Sequence, residues 1–162
     1  MNTRGLTYYL AIVGIGLTAV LSQTILLREL VSAFYGNELI YGVVLALWLL
    51  LTGASSSILG IFIEKIKNKT STFAALELVI SLALIFEIYY SRVGKFIFGI
   101  PQGGIASLSS IILIGVFVLA PVTILLGFQF SLGVKMLGEE FKASLAQIGQ
   151  TYMLETLGFF AG

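Results

Sequence analysis

Residues 39–63 read LIYGVVLALWLLLTGASSSILGIFI and contain no charged side chain. This run of 25 residues is longer than the ~20 residues that an α-helix needs to cross the hydrocarbon layer of a membrane. Similar apolar runs lie at about 5–27, 73–90 and 105–132, and a fifth begins near Ser144 and is still apolar at Gly162. The sequence therefore predicts an all-α fold, a polytopic transmembrane helix bundle of about five spans.

The composition supports a membrane protein without a soluble part. Hydrophobic residues make up 58% of the 162 residues and charged residues only 10%, whereas soluble domains carry roughly 25% charged residues. We expect one transmembrane helical domain over residues 1–162, embedded in the lipid bilayer as a multi-pass protein of a prokaryotic cytoplasmic (inner) membrane. Because the fifth apolar run has no polar flank, we also expect its helix to be truncated and the chain to continue in a longer protein.

The charged and metal-binding residues exclude several functions. Nine Lys and Arg are balanced by eight Glu, so the net charge is +1 and no basic surface for nucleic acid is present. The chain has no His and no Cys, which removes zinc sites, haem ligands and thiolate nucleophiles. We expect no catalytic residue, no metal and no cofactor in this chain alone; enzymatic activity would belong to a longer protein.

The distribution of basic residues predicts the orientation, because cytoplasmic loops of membrane proteins carry an excess of Lys and Arg. With five spans, six basic residues fall on the side of the N-terminus and three on the other side. The first group comprises Arg4, Lys65, Lys67, Lys69, Lys135 and Lys142, and the second Arg28, Arg92 and Lys95. The N-terminus is therefore predicted to be cytoplasmic.

Several residues predict local features of the helices. Pro121 should kink the fourth span, Thr70 or Ser71 should cap the third, and residues 91–104 should form an irregular loop. Small side chains in the second span should allow the backbone of a neighbouring helix to approach closely. These small residues are Gly42, Ala46, Gly53, Ser57 and Gly60.

Two carboxyl groups inside predicted spans are candidates for a functional site. Glu77 is one turn into the third span and Glu155 is near the middle of the fifth, where an unpaired charge costs at least ~2.5 kcal/mol. Gln147, Thr151 and Glu155 lie on one face of the fifth helix, because they are four residues apart. These groups either bind a cation or polyamine or relay protons, or they form hydrogen bonds between helices.

Other polar residues predict a structural network near the membrane surface. Arg28 and Glu29 end the first span and Glu38 begins the second, so an ion pair across the turn between the two spans would satisfy them. Gln23 lies one turn deeper and would extend this network toward Gln129 on the fourth span, and Gln147 and Thr151 on the fifth helix are further candidates for a structural polar network.

Four polar segments resemble a known family. They are QTILLREL at 23–30, FYGNEL at 34–39, the Pro-containing span with APV at 120–122 and LGFQF at 126–130, and YMLETLG at 152–158. Together they resemble, in order and spacing, the membrane region of the integral-membrane spermidine synthase-like (polyamine aminopropyltransferase-like) proteins. In that family a bundle of spans precedes a soluble α/β transferase domain. The Gly-rich loop and acidic residues of that domain are absent from this chain.

The resemblance implies a bundle that anchors or serves an aminopropyltransferase-type domain and handles a cationic substrate or product. Glu77, Gln129 and Glu155 would then line the route of a polyamine, since buried carboxylates suit organic ammonium groups. Two other classes remain open: a structural or accessory subunit that packs against other membrane subunits, and part of a small-molecule transporter, although no inverted repeat is convincing.

Overall fold

The computed structural model describes residues 3–34, 38–97, 107–141 and 146–162, which form helices and short connections and contain no strand. The all-α prediction is confirmed. The elements are α1 (Thr3–Ala33), α2 (Glu38–Leu59), a 3₁₀ helix (Gly60–Lys65), α3 (Lys69–Ile97), α4 (Leu108–Phe141) and α5 (Ala146–Ala161).

Four of the helices in these ranges, α1 to α4, are long and apolar enough to cross a membrane. By length and composition the chain is thus a multi-pass integral membrane protein. The fifth helix, α5, has 16 residues and is ~24 Å long at 1.5 Å per residue, shorter than the ~30 Å hydrocarbon layer. Within the bundle it packs mainly on α1.

The centre of the bundle is α4, which contacts all four other helices and makes its most extensive interface with α2. Apolar side chains from α1, α3 and α4 fill the core; Leu26, Ile80 and Leu119 are fully buried there. Tight packing of apolar side chains is the main stabilising interaction between helices in lipid, where water supplies no hydrophobic driving force.

Small residues bring α2 and α4 into close contact. A Cβ atom added to Gly127 would collide with the backbone carbonyl of Thr52. The Ser55 hydroxyl donates to the carbonyl of Ile124 at 2.5 Å, and the hydroxyl of Ser131 donates to the carbonyl of Ser56 at 3.0 Å. The interface therefore combines one glycine with hydroxyl groups that pair across it.

This interface does not use the face of α2 predicted from its small residues. Gly42, Ala46, Gly53 and Ser57 are exposed, and a Cβ on Gly42 or Gly53 would meet no atom of the described residues within 4 Å. Only Gly60, which lies near Ser131, agrees with the prediction. Among the described residues no helix backbone packs on the rest of this face; the close approach of α2 and α4 depends instead on Gly127 of α4.

The ends of α3 also differ from the prediction. Asn68 caps the helix, since its side-chain Oδ1 accepts a hydrogen bond from the backbone N–H of Ser71 at 3.2 Å. The helix continues to Ile97, so the first half of the predicted loop at 91–104 is helical, and 98–106 lie outside the described residues. Pro121 lies inside the continuous helix α4.

Two glycines allow α1 and α5 to touch backbone to backbone. A Cβ on Gly16 would collide with the backbone carbonyl of Glu155, and a Cβ on Gly158 would collide with the carbonyl of Val13. Such close approach is typical of small-residue helix pairs in membranes. It fixes the position of Glu155 relative to α1.

Candidate functional site

A cleft of about 550 Å³ lies between α1, α2, α4 and α5. Its polar lining comes from the Glu155 carboxyl, the Gln23 amide and the hydroxyls of Thr52 and Thr156. Aromatic side chains form much of the remaining wall; they are Trp48, Tyr152, Phe159 and Phe160. The volume is within the range of ~300–1,000 Å³ that is usual for small-molecule sites.

The position of Glu155 follows from the packing of α5. The backbone contact with Gly16 fixes this turn of α5 against α1, and the Glu155 side chain is partly buried at the cleft. On the adjacent turn, the ring of Tyr152 packs edge to face on Phe130 of α4, with 5.3 Å between ring centroids. Both contacts hold α5 in a defined rotation about its axis.

The electrostatics of the cleft favour a cation. Among the residues that the structure describes, the lining includes one carboxyl group and no Lys or Arg, and no charged group of that part of the chain interacts with Glu155. The Thr52 hydroxyl oxygen is buried and has no hydrogen-bond partner within the same part of the chain. A ligand with a positive charge and hydrogen-bond donors would satisfy both groups.

A second polar cluster joins α1, α3 and α4. The Thr18 hydroxyl donates to Glu77 Oε2 at 3.4 Å, and the Gln129 side chain lies beside the Glu77 carboxyl and interacts with it. Gln129 is fully buried. Neither amide atom of Gln129 makes a hydrogen bond of acceptable geometry to any residue that the structure describes.

The two clusters are separated by α1. Gly16 contacts α5 whereas Thr18 contacts α3, and two residues along an α-helix correspond to a rotation of about 200°. The structure therefore brings Glu77 together with Gln129 and places Glu155 on the opposite side of α1. The three predicted ligand residues belong to two places rather than to one route.

The residues of the predicted structural network are also distributed differently. Gln23 lines the cleft with Glu155, and Thr151 is fully buried on α5; the side chain of Gln147 lies outside the described residues. Glu29 pairs with Arg92 of α3 through two hydrogen bonds of 2.9 Å.

The turn between α1 and α2 thus does not provide the main partner of Glu29. Arg28 and Glu38 are both exposed, and the two-pronged contact of Glu29 is the favourable geometry of a guanidinium with a carboxylate. This pair connects α1 to the C-terminal part of α3, where the sequence predicted a loop.

Glu87 was not predicted as a site residue. It is 2% exposed, and its Oε1 accepts a hydrogen bond from the backbone N–H of Val122 at 2.7 Å. Val122 follows Pro121, which lacks an N–H and whose ring disturbs the carbonyl of the preceding turn. Pro121 could therefore have predicted a polar residue on a neighbouring helix, because backbone groups that lose their helical hydrogen bonds inside a membrane need a polar partner.

No family model, curated protein or solved structure matches this chain. The resemblance to spermidine synthase-like proteins consequently remains a prediction from four segments. Three of these segments contribute to the cleft: Gln23 comes from 23–30, Leu126 from 126–130, and Tyr152, Glu155 and Thr156 from 152–158.

Proposed function

We propose that this chain is the membrane domain of a spermidine synthase-like protein of a prokaryotic cytoplasmic membrane, with its N-terminus in the cytoplasm. In this proposal the bundle anchors or serves a polyamine aminopropyltransferase-type domain and binds a polyamine in the cleft. The observation that carries the proposal is the Glu155 carboxyl, which lines a cleft of about 550 Å³ in which no described lining residue is basic.

The cleft offers complementary groups for a primary alkylammonium ion. An ammonium group has three donors, and the Glu155 carboxylate, the Gln23 amide oxygen and the Thr52 hydroxyl can accept hydrogen bonds. Aromatic rings attract cations over their faces, by about 0.5–2 kcal/mol. Trp48 and Phe159 on the wall would also pack against the methylene groups of a polyamine.

The convergence of three resembling segments on one cleft supports the family assignment. Apolar spans resemble one another readily, whereas Gln23, Tyr152 and Glu155 are polar or amphipathic residues from segments that are far apart in the sequence. A shared ligand gives a physical reason for these residues to occur together. Aminopropyl transfer itself requires residues that this chain does not contain.

Trp48 is the only tryptophan of the protein and lines the cleft, so its fluorescence reports directly on ligand binding. Purified protein in detergent should show a saturable change in Trp48 emission with spermidine and with putrescine. The matched neutral compound 1,4-butanediol should have no effect at equal concentration. Equal responses to the diamine and the diol would contradict the proposal.

A pair of variants assigns the response to the carboxyl group. Glu155→Gln keeps the size of the side chain and removes its charge, so the apparent Kd for spermidine should rise at least ~10-fold, or ~1.4 kcal/mol. Glu38→Gln removes an exposed carboxyl at the start of α2 and should leave the Kd unchanged. Unaltered binding by Glu155→Gln would exclude this cleft as the amine site.

One observation favours an accessory subunit as the second candidate. Gly42, Ala46, Gly53 and Ser57 form an exposed small-residue face on α2, where another helix backbone can approach closely. Affinity purification from native membranes distinguishes the candidates: a transferase domain, fused or associated, supports the first, and a different stoichiometric membrane partner the second. Gly53→Leu should weaken only the second association.

A further inference from the structure

The polar cluster on the α3 side of α1 contains more unpaired groups than hydrogen bonds. Glu77 accepts one hydrogen bond, from Thr18, while both amide atoms of the fully buried Gln129 lack a partner of good geometry among the described residues. Ser22 lies one turn from Thr18 on α1, is 1% exposed, and its hydroxyl is likewise unpaired in that part of the chain.

Apolar packing encloses this cluster along the bundle axis. One turn from Gln129, Gly133 faces the side chains of Ile12 and Ile15 at van der Waals distance. About one turn from Glu77, Ile80 is fully buried. Unpaired polar groups in such surroundings each cost free energy comparable to a lost hydrogen bond, so the cluster has an energetic reason to hold an additional bonding partner.

The donor set specifies the chemistry of that partner. The carboxylate of Glu77, the amide oxygen of Gln129 and the hydroxyl of Thr18 are hard oxygen ligands, which suit alkali and alkaline-earth cations. Only Gln129 and Thr18 interact with the Glu77 carboxyl among the described residues, and neither carries a charge. One monovalent cation would neutralise the single negative charge, whereas a divalent cation would leave a net charge in the hydrocarbon layer.

We propose that Glu77, Gln129 and Thr18 bind a dehydrated alkali cation between α1, α3 and α4. Ser22 lies near enough in sequence to supply a further hydroxyl oxygen. The ion links three helices that meet at this level, and binding stabilises their packing. This site is separate from the cleft of Glu155 and does not depend on polyamine binding there.

The first test uses the whole chain purified in detergent and Na⁺ as the probe. Binding of ²²Na⁺ should saturate at one ion per chain. The Tm measured in NaCl should exceed that in choline chloride at equal ionic strength by about 5 °C at a hundredfold excess over the Kd. Absence of saturable ²²Na⁺ binding together with equal Tm values in the two salts would overturn the proposal.

Variants locate the ion. Glu77→Gln should abolish ²²Na⁺ binding and the salt dependence of the Tm, and Thr18→Val should weaken ²²Na⁺ binding at least ~10-fold. Glu155→Gln should leave both properties unchanged, because Glu155 lies on the other side of α1. If Glu155→Gln abolished ²²Na⁺ binding, or if the ion bound equally well to the Glu77→Gln and Thr18→Val proteins, the assignment to this cluster would be refuted.

The ion site and the amine site fail independently. If the protein did not bind ²²Na⁺ but still showed the Trp48 response to spermidine, only the cation proposal would be refuted. If it bound ²²Na⁺ but showed no Trp48 response to spermidine, only the polyamine proposal would be refuted. Spermidine should not displace ²²Na⁺ by direct competition. Stoichiometric displacement would mean that a single site binds both ligands, which contradicts two sites separated by α1.

Discussion

Glu87 of α3 accepts a hydrogen bond from the backbone N–H of Val122, the residue directly after Pro121 in α4, at 2.7 Å. The contact provides a polar partner for backbone that a proline disturbs in the middle of a membrane helix. A side chain of α3 thereby bonds to the backbone of α4 directly beside the proline, and the stability of the two helices should be coupled.

Replacing Glu87 tests this coupling. Glu87→Gln keeps an acceptor oxygen and should have little effect, whereas Glu87→Leu leaves the Val122 N–H without its partner. We expect Glu87→Leu to lower the free energy of unfolding by about 1–3 kcal/mol, measured by SDS-induced unfolding. The same change in a Pro121→Ala background should cost less, because the helix can restore its own hydrogen bonds. If Glu87→Leu lowered the free energy of unfolding equally in the unmodified and the Pro121→Ala proteins, the result would argue against a role for the proline.

The contact between α1 and α5 should be sensitive to a single methyl group. Gly16→Ala places a Cβ against the backbone carbonyl of Glu155, and we expect a loss of about 1–3 kcal/mol together with weaker binding of spermidine at Trp48. Gly14→Ala is the matched control, because a Cβ there meets no atom within 4 Å in the part of the chain that the structure describes; it should be neutral or stabilising. Equal behaviour of the two variants would contradict the described packing of α5.

Serine hydroxyls should contribute to the interface of α2 with α4. Ser131→Ala removes the donor to the Ser56 carbonyl and the contact between the two hydroxyls, and we expect a loss of about 0.6 kcal/mol per hydrogen bond. Ser57→Ala is the control, because its hydroxyl bonds within its own helix, to the carbonyl of Gly53, and to no other described residue. The Tm measured by thermal unfolding in detergent should be lower for Ser131→Ala than for Ser57→Ala and the unmodified protein.

The orientation can be tested without removing any native thiol, since the chain has no cysteine. Ser32 and Lys67 are exposed near opposite ends of the bundle, so each can be replaced by cysteine in turn. A membrane-impermeant maleimide should label Ser32→Cys in intact cells and Lys67→Cys only after permeabilisation. The opposite pattern would place the N-terminus outside the cytoplasm.

The helices could be predicted from the sequence because each one corresponds to a long continuous run of apolar residues. A span needs about twenty apolar residues, and the apolar runs therefore gave the helices, although α1, α3 and α4 end at residues 33, 97 and 141 and not at 27, 90 and 132 as predicted. At Asn68 the helix begins earlier than predicted because an amide side chain caps it. At Arg92 it continues further, where a pair with Glu29 stabilises the last turns.

The arrangement of side chains could be predicted only in part because it depends on which helices are neighbours. Glu77 and Gln129 were singled out as polar residues in apolar runs, but their proximity depends on the packing of α3 against α4. The exposed face of α2 shows the same limit: Gly53 has the residue type of a packing contact, while Gly127 on α4 makes the contact. Glu87 was missed although Pro121 indicated that a neighbouring helix would need a polar group.

The contact of Gly16 with Gly158 joins positions that are 142 residues apart. At a synthesis rate of about 5–20 residues per second, α1 therefore enters the membrane roughly 7 to 28 s before α5 leaves the ribosome. During that interval its glycine face contacts lipid or the insertion machinery, and one wall of the cleft is absent. The proposed ligand binding therefore becomes possible only after α5 has packed against α1.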